Sequence, residues 1–320
     1  MPTHSPALTL TGLTKTFGRH RAVDDVTLDV NQGEMVGFLG PNGAGKSTTL
    51  YMITRLVRPT AGSIHVFGHD VRRSPVEALR HIGALVETPS FYGYLSGRRN
   101  LELVARVYGI RDRTAVDEIL AQIGLTERQK DPVQNYSQGM KQRLGLGAAL
   151  LGSPRLLLLD EPTNGLDPEA MREILGLVRN KVRQDGLAVF ISSHLLGEVE
   201  EYCDRVAIMN GGKLACEGHV DEILAQADPV VRVTFSGDRP APDTFRTLEG
   251  IETVVEAPGG ALEFLLTGQD SAWLNRQLLE RGFPVATIAP KQRTLREFFL
   301  ALTGTPPDSP PTAPHTPREV

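Results

Sequence analysis

The sequence predicts an α/β fold: a parallel β-sheet core with an antiparallel β subdomain, a helical insertion and a small C-terminal α+β domain. Three observations predict it. Met35–Leu39, Leu156–Leu159 and Leu187–Ile191 are apolar at nearly every position, as strands buried on both faces are. A Gly-rich turn follows the first of them directly. Between the last two, Met171, Ile174, Leu175 and Val178 recur with the period of a helix, so strand and helix alternate and the strands run parallel.

Ahead of that sheet, Leu8 and Leu10, then Val26, Leu28 and Val30, alternate with polar residues, which is the period of antiparallel strands with one wet face. Leu101, Val104, Ala105 and Tyr108, then Val116, Ile119, Leu120 and Ile123, recur three and four residues apart and predict helices. They fall in an insertion over about residues 88–152, inside a large domain spanning residues 1–225. From residue 228 to 303 the pattern changes. Val231, Val233 and Phe235, the run Ala261 to Leu266, an amphipathic stretch from Trp273 to Leu279, then Val285 and Ile288, predict the small α+β domain, closed by a helix at Leu295 to Leu302. Residues 304–320 hold six prolines and almost no large apolar side chains, so a disordered tail is expected there.

With 34 Lys+Arg against 38 Asp+Glu in 320 residues, the net charge of −4 offers no overall basic field, and no nucleic-acid partner is expected. The two cysteines, Cys203 and Cys216, lack the number for a disulfide framework and the spacing of a zinc site, and read as reduced thiols. No apolar run approaches the ~18 residues of a membrane span, and Met1 to Leu10 lacks the order of a secretory signal. A cytoplasmic chain is the expectation.

Gly40-Pro41-Asn42-Gly43-Ala44-Gly45-Lys46-Ser47 fits GxxxxGK[ST], a phosphate-binding loop, and Thr48 continues it into a helix. The glycines let backbone N–H groups turn inward as an anion nest, Lys46 reaches the β and γ phosphates, and Ser47 offers its hydroxyl to Mg2+. By chance the pattern arises about once per hundred chains of this length. Asp160 and Glu161 end the apolar run Leu156–Leu159, at the strand end where α/β sheets bind ligands. Asp160 suits the metal shell, and Glu161 suits a general base acting on water. Ser137, in Tyr136-Ser137-Gln138-Gly139-Met140, is placed to cap a helix whose N-terminus would attract an anion.

In this order the motifs resemble the nucleotide-binding subunits of ABC transporters, over roughly Leu8 to Val220. The resemblance implies a P-loop NTPase (RecA-like) core that hydrolyses ATP with Mg2+. Carried over position by position, it implies Phe17 stacking on adenine, and Ser137, Gln138 and Gly139 as signature contacts. It also implies Asp167 as the D-loop aspartate, His194 as the γ-phosphate sensor and Glu87 at the Q-loop position as a metal contact. Three residues depart from the commonest pattern. Gln138 replaces a glycine, Met140 a glutamine, and Glu87 brings a carboxylate where the family usually has an amide.

The stretch from Ile82 to Tyr92 and the ending Thr294 to Phe299 are similar to ABC-2 exporters of the bacitracin- and lantibiotic-resistance branch, so drug resistance or immunity is the implied physiology. The family further implies a dimer of ATPase subunits with nucleotide sandwiched between them, and a separate polytopic permease docked near Phe91, Tyr92, Tyr94 and Leu95. The alternative, a soluble ABC ATPase acting on ribosomes or nucleic acid, would normally show a second cassette, a long coiled-coil insertion or zinc cysteines. None is visible. A GTPase is disfavoured because Asn180-Lys181-Val182-Arg183 lacks the Asp of NKxD.

Overall fold

The computed structural model describes residues 6–87, 89–112, 114–226, 230–237, 239–245, 248–291 and 294–304. They divide into two compact units, with the division at Val220.

In the first unit β1 (Pro6–Phe17) and β2 (His20–Asn31) form an antiparallel hairpin. Its alternating residues Leu8, Leu10, Val26, Leu28 and Val30 are all buried. β3 (Met35–Leu39) is buried at every position and runs through the glycine turn into α1 (Lys46–Ile53). β4 (Ala61–Val66) and β5 (His69–Asp70) extend the hairpin to the order β2-β1-β4-β5. α2 (Pro75–Leu79) leads to β6 (Ile82–Leu85).

The insertion after β6 contains α3 (Gly97–Val107), α4 (Thr114–Gln122) and α5 (Gln138–Leu150). The apolar repeat between Leu101 and Ile123 is thus shared by two helices, because Gly109, with φ 72°, turns the chain after α3. Leu101, Ala105, Val116, Ile119 and Leu120 are buried, whereas Tyr108 is half exposed at that turn.

β7 (Leu156–Asp160), α6 (Pro168–Asp185) and β8 (Ala188–Ser193) restore the α/β alternation, followed by α7 (Leu196–Tyr202), β9 (Arg205–Asn210) and β10 (Lys213–His219). The described strands of this sheet run β10-β9-β3-β8-β7-β6. All neighbours pair in parallel except β10 with β9. β8 extends to Ser193, two residues past its apolar run, and both serines are fully buried. In the core Phe38 and Phe190 sit 4.8 Å apart, ring to ring.

The second unit, residues 220–301, holds α8 (Val220–Gln226), β11 (Val230–Phe235), β12 (Ile251–Ala257), β13 (Ala261–Leu266), α9 (Ser271–Glu280), β14 (Val285–Lys291) and α10 (Leu295–Thr303) as far as Ala301. Its strands pair antiparallel in the order β12-β13-β11-β14. Val231, Val233, Leu262 and Phe264 form its core with Phe245, Leu274 and Leu278. β12 has no counterpart in the sequence reading: no position of it is fully buried, so it lacks a clean alternation. Apart from Gly304, the expected tail lies outside the described residues. Among those residues no helix is long and apolar enough to cross a membrane.

Candidate nucleotide-hydrolysis site

Parallel pairing sets Leu39 opposite Ser193, Asp160 opposite Ser192, and Leu85 opposite Leu159. β3, β8, β7 and β6 therefore end on one edge of the sheet. The chain leaving those ends carries Gly40 to Ser47, His194, Glu161 and Glu87. Parallel strands all point their carboxyl ends the same way, so motifs more than a hundred residues apart converge there.

Gly43 and Gly45 adopt φ of 81° and 102°, which L side chains disfavour. At Gly45 there is also no room: a Cβ would sit 2.4 Å from the carbonyl oxygen of Ala22 in β2. Gly40, Pro41, Asn42 and Ala44 complete the turn, with Asn42 and Gly43 exposed, and α1 starts at Lys46 with Ser47 and Thr48 in its first turn. Lys46 is buried and curls back on the loop, its Nζ donating to the Gly40 carbonyl at 2.7 Å and the Pro41 carbonyl at 3.4 Å. Burial pushes its ammonium below the usual lysine range, opposed by the charges of Glu161 and Asp160. Phe17 ends β1 in the same hairpin that brings Ala22 against Gly45. Its ring is 49 % exposed, with Lys15 Nζ 4.7 Å from the centroid, so it is a surface platform and no part of the β-layer core.

Asp160 Oδ1 accepts the Ser192 hydroxyl at 2.5 Å. The Glu161 N–H is shared between the Ser192 carbonyl at 3.2 Å and its Oγ at 3.1 Å. Glu161 has φ 47°, a strained conformation for a residue with a side chain. Its Oε2 lies 2.5 Å from His194 Nδ1 and 3.3 Å from the His194 backbone nitrogen. Glu87, also at positive φ, accepts the Tyr51 hydroxyl at 2.7 Å. Tyr51 stands one turn after Ser47 on α1, and its phenol is pushed up to about 12 by burial, with the charges of Glu87 and Asp160 adding to it. Glu87 thus reaches the same edge through Tyr51.

Ser137 caps α5, its Oγ accepting the Met140 N–H at 3.2 Å. Asp167 caps α6, accepting the N–H groups of Ala170 at 3.0 Å and Glu169 at 3.1 Å, and these donors hold its carboxyl below the usual range. The two caps are neighbours: a Cβ at Gly139 would lie 3.5 Å from Ala170 and 3.8 Å from Leu166. Gln138 is the first residue of α5. Among the described residues no hydrogen bond or ion pair joins Ser137, Gln138, Gly139 or Asp167 to Lys46, Asp160 or Glu161. The site residues thus fall into two groups with no bond between them. In the insertion Tyr92 and Tyr94 are exposed with their rings 6.0 Å apart, and Asn100 Oδ1 accepts the Tyr92 N–H at 2.9 Å. Phe91 and Leu95 are half-buried.

Sequence reasoning missed Ser192 and Tyr51. A polar pair, Ser192-Ser193, directly after an apolar strand and before His194 was the available signal for the first. Tyr51 carried none, because its contact with Glu87 spans 36 residues.

Residues 23–164 match the family described as ABC transporter. Over 94 % of its length the chain is 37 % identical to the bacitracin transport ATP-binding protein of Bacillus licheniformis, covering 98 % of that protein. It is 36 % identical to a daunorubicin resistance ATP-binding protein of Streptomyces coeruleorubidus, across 93 % of this chain and 96 % of that one. Among solved structures, an ATP-binding subunit of an ABC transporter superposes with a TM-score of 0.63 at 33 % identity, over 69 % of this chain and 92 % of that one. A dimeric ATP-binding cassette in a post-hydrolysis state with ADP and Pi gives 0.61 at 25 % identity, over 67 % and 98 %. With relatives matched over nearly their whole length and the same cassette architecture in solved structures, the chain belongs to the ABC transporter family as one of its ATP-binding, ATP-hydrolysing subunits.

Proposed function

We propose that this chain powers the export of a drug, antibiotic peptide or lipid-like compound through a separate polytopic permease, as one half of an ATPase dimer held at the inner face of the membrane. The observation that carries the reading is the split between the Lys46 edge and the paired caps at Ser137 and Asp167. A helix N-terminus attracts an anion, and among the described residues no carboxylate accepts a hydrogen bond from the first turn of α5. A γ phosphate held by a second copy supplies one, so nucleotide closes the dimer. The relatives named for bacitracin transport and daunorubicin resistance support the cargo class. They also disfavour a soluble ABC ATPase working on ribosomes or nucleic acid.

In this reading the backbone from Gly40 to Thr48 cradles the phosphates, and Phe17 stacks on adenine. Lys46 exchanges the carbonyls of Gly40 and Pro41 for β and γ oxygens. Glu161 accepts a proton from the water that attacks the γ phosphorus in line as the bond to the bridging oxygen breaks. His194, already hydrogen-bonded to Glu161, contacts the γ phosphate, and Asp167 and the Ser137–Gly139 turn contact the facing copy. Phosphate departure removes the charge that held the caps, and the dimer opens.

Mg2+ takes oxygen ligands, commonly one or two carboxylates completed by phosphate and water. Ser47 and Asp160 fit that demand, with Asp160 oriented by Ser192, and Glu87 offers a further oxygen. When bound, the ion neutralises charge on the β and γ oxygens. Tyr92 and Tyr94 form the exposed part of the permease dock. The second unit acts as a packing or dimer-stabilising module.

The test is to tag the chain in its native cell, solubilise membranes gently and purify. A stoichiometric polytopic protein that survives high salt and raises the ATPase rate is the expected result. Recovery from the cytosol alone, with ribosomes or nucleic acid attached, would overturn the reading.

A further inference from the structure

A carboxylate with no part in that cycle lies beside the catalytic edge. Glu198 stands on α7, four residues after His194. Its Oε2 accepts the Thr163 hydroxyl at 2.9 Å, while its Oε1 is buried with no hydrogen-bond partner among the described residues. Thr163 is itself buried and follows Glu161 by two residues. From there a chain of bonds leads on: Asn164 N–H to the Glu161 carbonyl at 3.1 Å, Leu166 N–H to the Thr163 carbonyl at 3.1 Å, then the Asp167 cap.

We propose that Glu198 is a positioning residue that clasps Thr163, and with it the segment from Glu161 to Asp167, to the helix behind His194. The proposal rests on the ATPase reading above. Besides the Glu161 N–H held by Ser192, two side-chain ties join α7 and the residue after β8 to that segment: His194 to Glu161, and Glu198 to Thr163. The first opens when Glu161 turns to water and His194 to phosphate. The second involves neither reacting group and persists through the cycle. Leu196 and Val199 are buried, so α7 is anchored and shifts as a body. A displacement of His194 therefore reaches Thr163, Leu166 and the Asp167 cap, which adjoins the Gly139 turn.

The role is that of an acceptor. Burial, together with the charges of Glu161 and Glu201, pushes the Glu198 carboxyl above its usual range, opposed by the Thr163 hydrogen bond and by His194. A buried oxygen without a donor is costly when charged, and that cost is what raises the carboxyl.

The experiment measures kcat for ATP hydrolysis and the Kd for ATP with purified full chain, for Thr163→Val, Glu198→Ala, their double variant, Thr163→Ser and Glu198→Gln. Loss of one positioning hydrogen bond is expected to lower kcat about tenfold in Thr163→Val and in Glu198→Ala, with Kd within about twofold. The double variant is expected to be no slower than the worse single one, and Thr163→Ser and Glu198→Gln to stay within about threefold of the parent. Additive losses, or parent rates in both single variants, overturn the clasp. Glu198→Gln as slow as Glu198→Ala overturns it too, because charge or proton transfer would then be the role. If Glu198→Ala does not fold, equal rates for Thr163→Val and Thr163→Ser overturn it. A parent chain that neither binds nor hydrolyses ATP removes the ATPase reading itself, and the clasp with it.

Discussion

The Ser192 hydroxyl donates to Asp160 Oδ1 at 2.5 Å and accepts the Glu161 N–H at 3.1 Å. One buried serine thus orients the carboxylate assigned to the metal and fixes the backbone of the carboxylate assigned to water. Ser192→Ala is expected to cost about 1.5–3 kcal/mol of stability, the usual worth of a buried hydrogen bond to a charged group, and to lower turnover at least tenfold. Urea unfolding and steady-state ATPase rates measure the two. Parent values in both would show that Asp160 needs no such support.

Glu161→Gln keeps the shape of the side chain and an oxygen for His194, but an amide does not accept the proton from water. General-base catalysis contributes about 100- to 10,000-fold, so phosphate release should fall by at least about 100-fold with ATP still bound. Size-exclusion chromatography with ATP should then show a trapped dimer. Normal phosphate release would remove Glu161 from that role.

Gly45→Ala places a Cβ 2.4 Å from the Ala22 carbonyl at a φ of 102°. The phosphate loop and the start of β2 must separate, at a cost of about 1–3 kcal/mol from backbone strain alone. A lowered Tm together with lost ATP binding is the expected result. Retained affinity would mean that the loop tolerates a different path.

Phe17→Ala removes an exposed ring, so the fold should be unaffected while ATP affinity falls. Stacking on a base is worth about 1–3 kcal/mol, which corresponds to roughly a 5- to 150-fold rise in Kd. Phe17→Trp should restore binding. Calorimetric titration with ATP distinguishes these outcomes, and an unchanged Kd in Phe17→Ala would place adenine elsewhere.

Most of the site was legible because its chemistry is local in sequence. The Gly40–Ser47 turn needs glycines where φ is positive, Asp160 and Glu161 follow a continuous apolar strand, and Ser137 and Asp167 are caps a few residues from the N–H groups they satisfy. Glu87 was placed by resemblance, and the structure shows it bonded to Tyr51 beside α1. Ser192 stayed hidden because its partners lie 31 and 32 residues away. Thr163 and Glu198, 35 residues apart, did so for the same reason.

By itself the sequence determined the α/β architecture, the phosphate loop and the order of the motifs, since burial pattern, turn conformation and helix capping are read within a few residues of chain. Only the tertiary structure decided which groups meet. Strand register sets Asp160 against Ser192 and Leu39 against Ser193, folding back of β8 sets His194 against Glu161, and α7 sets Glu198 against Thr163. Those pairings depend on parallel crossovers, about thirty residues long between β7 and β8 and far longer between β3 and β8, and no local pattern encodes where a crossover returns.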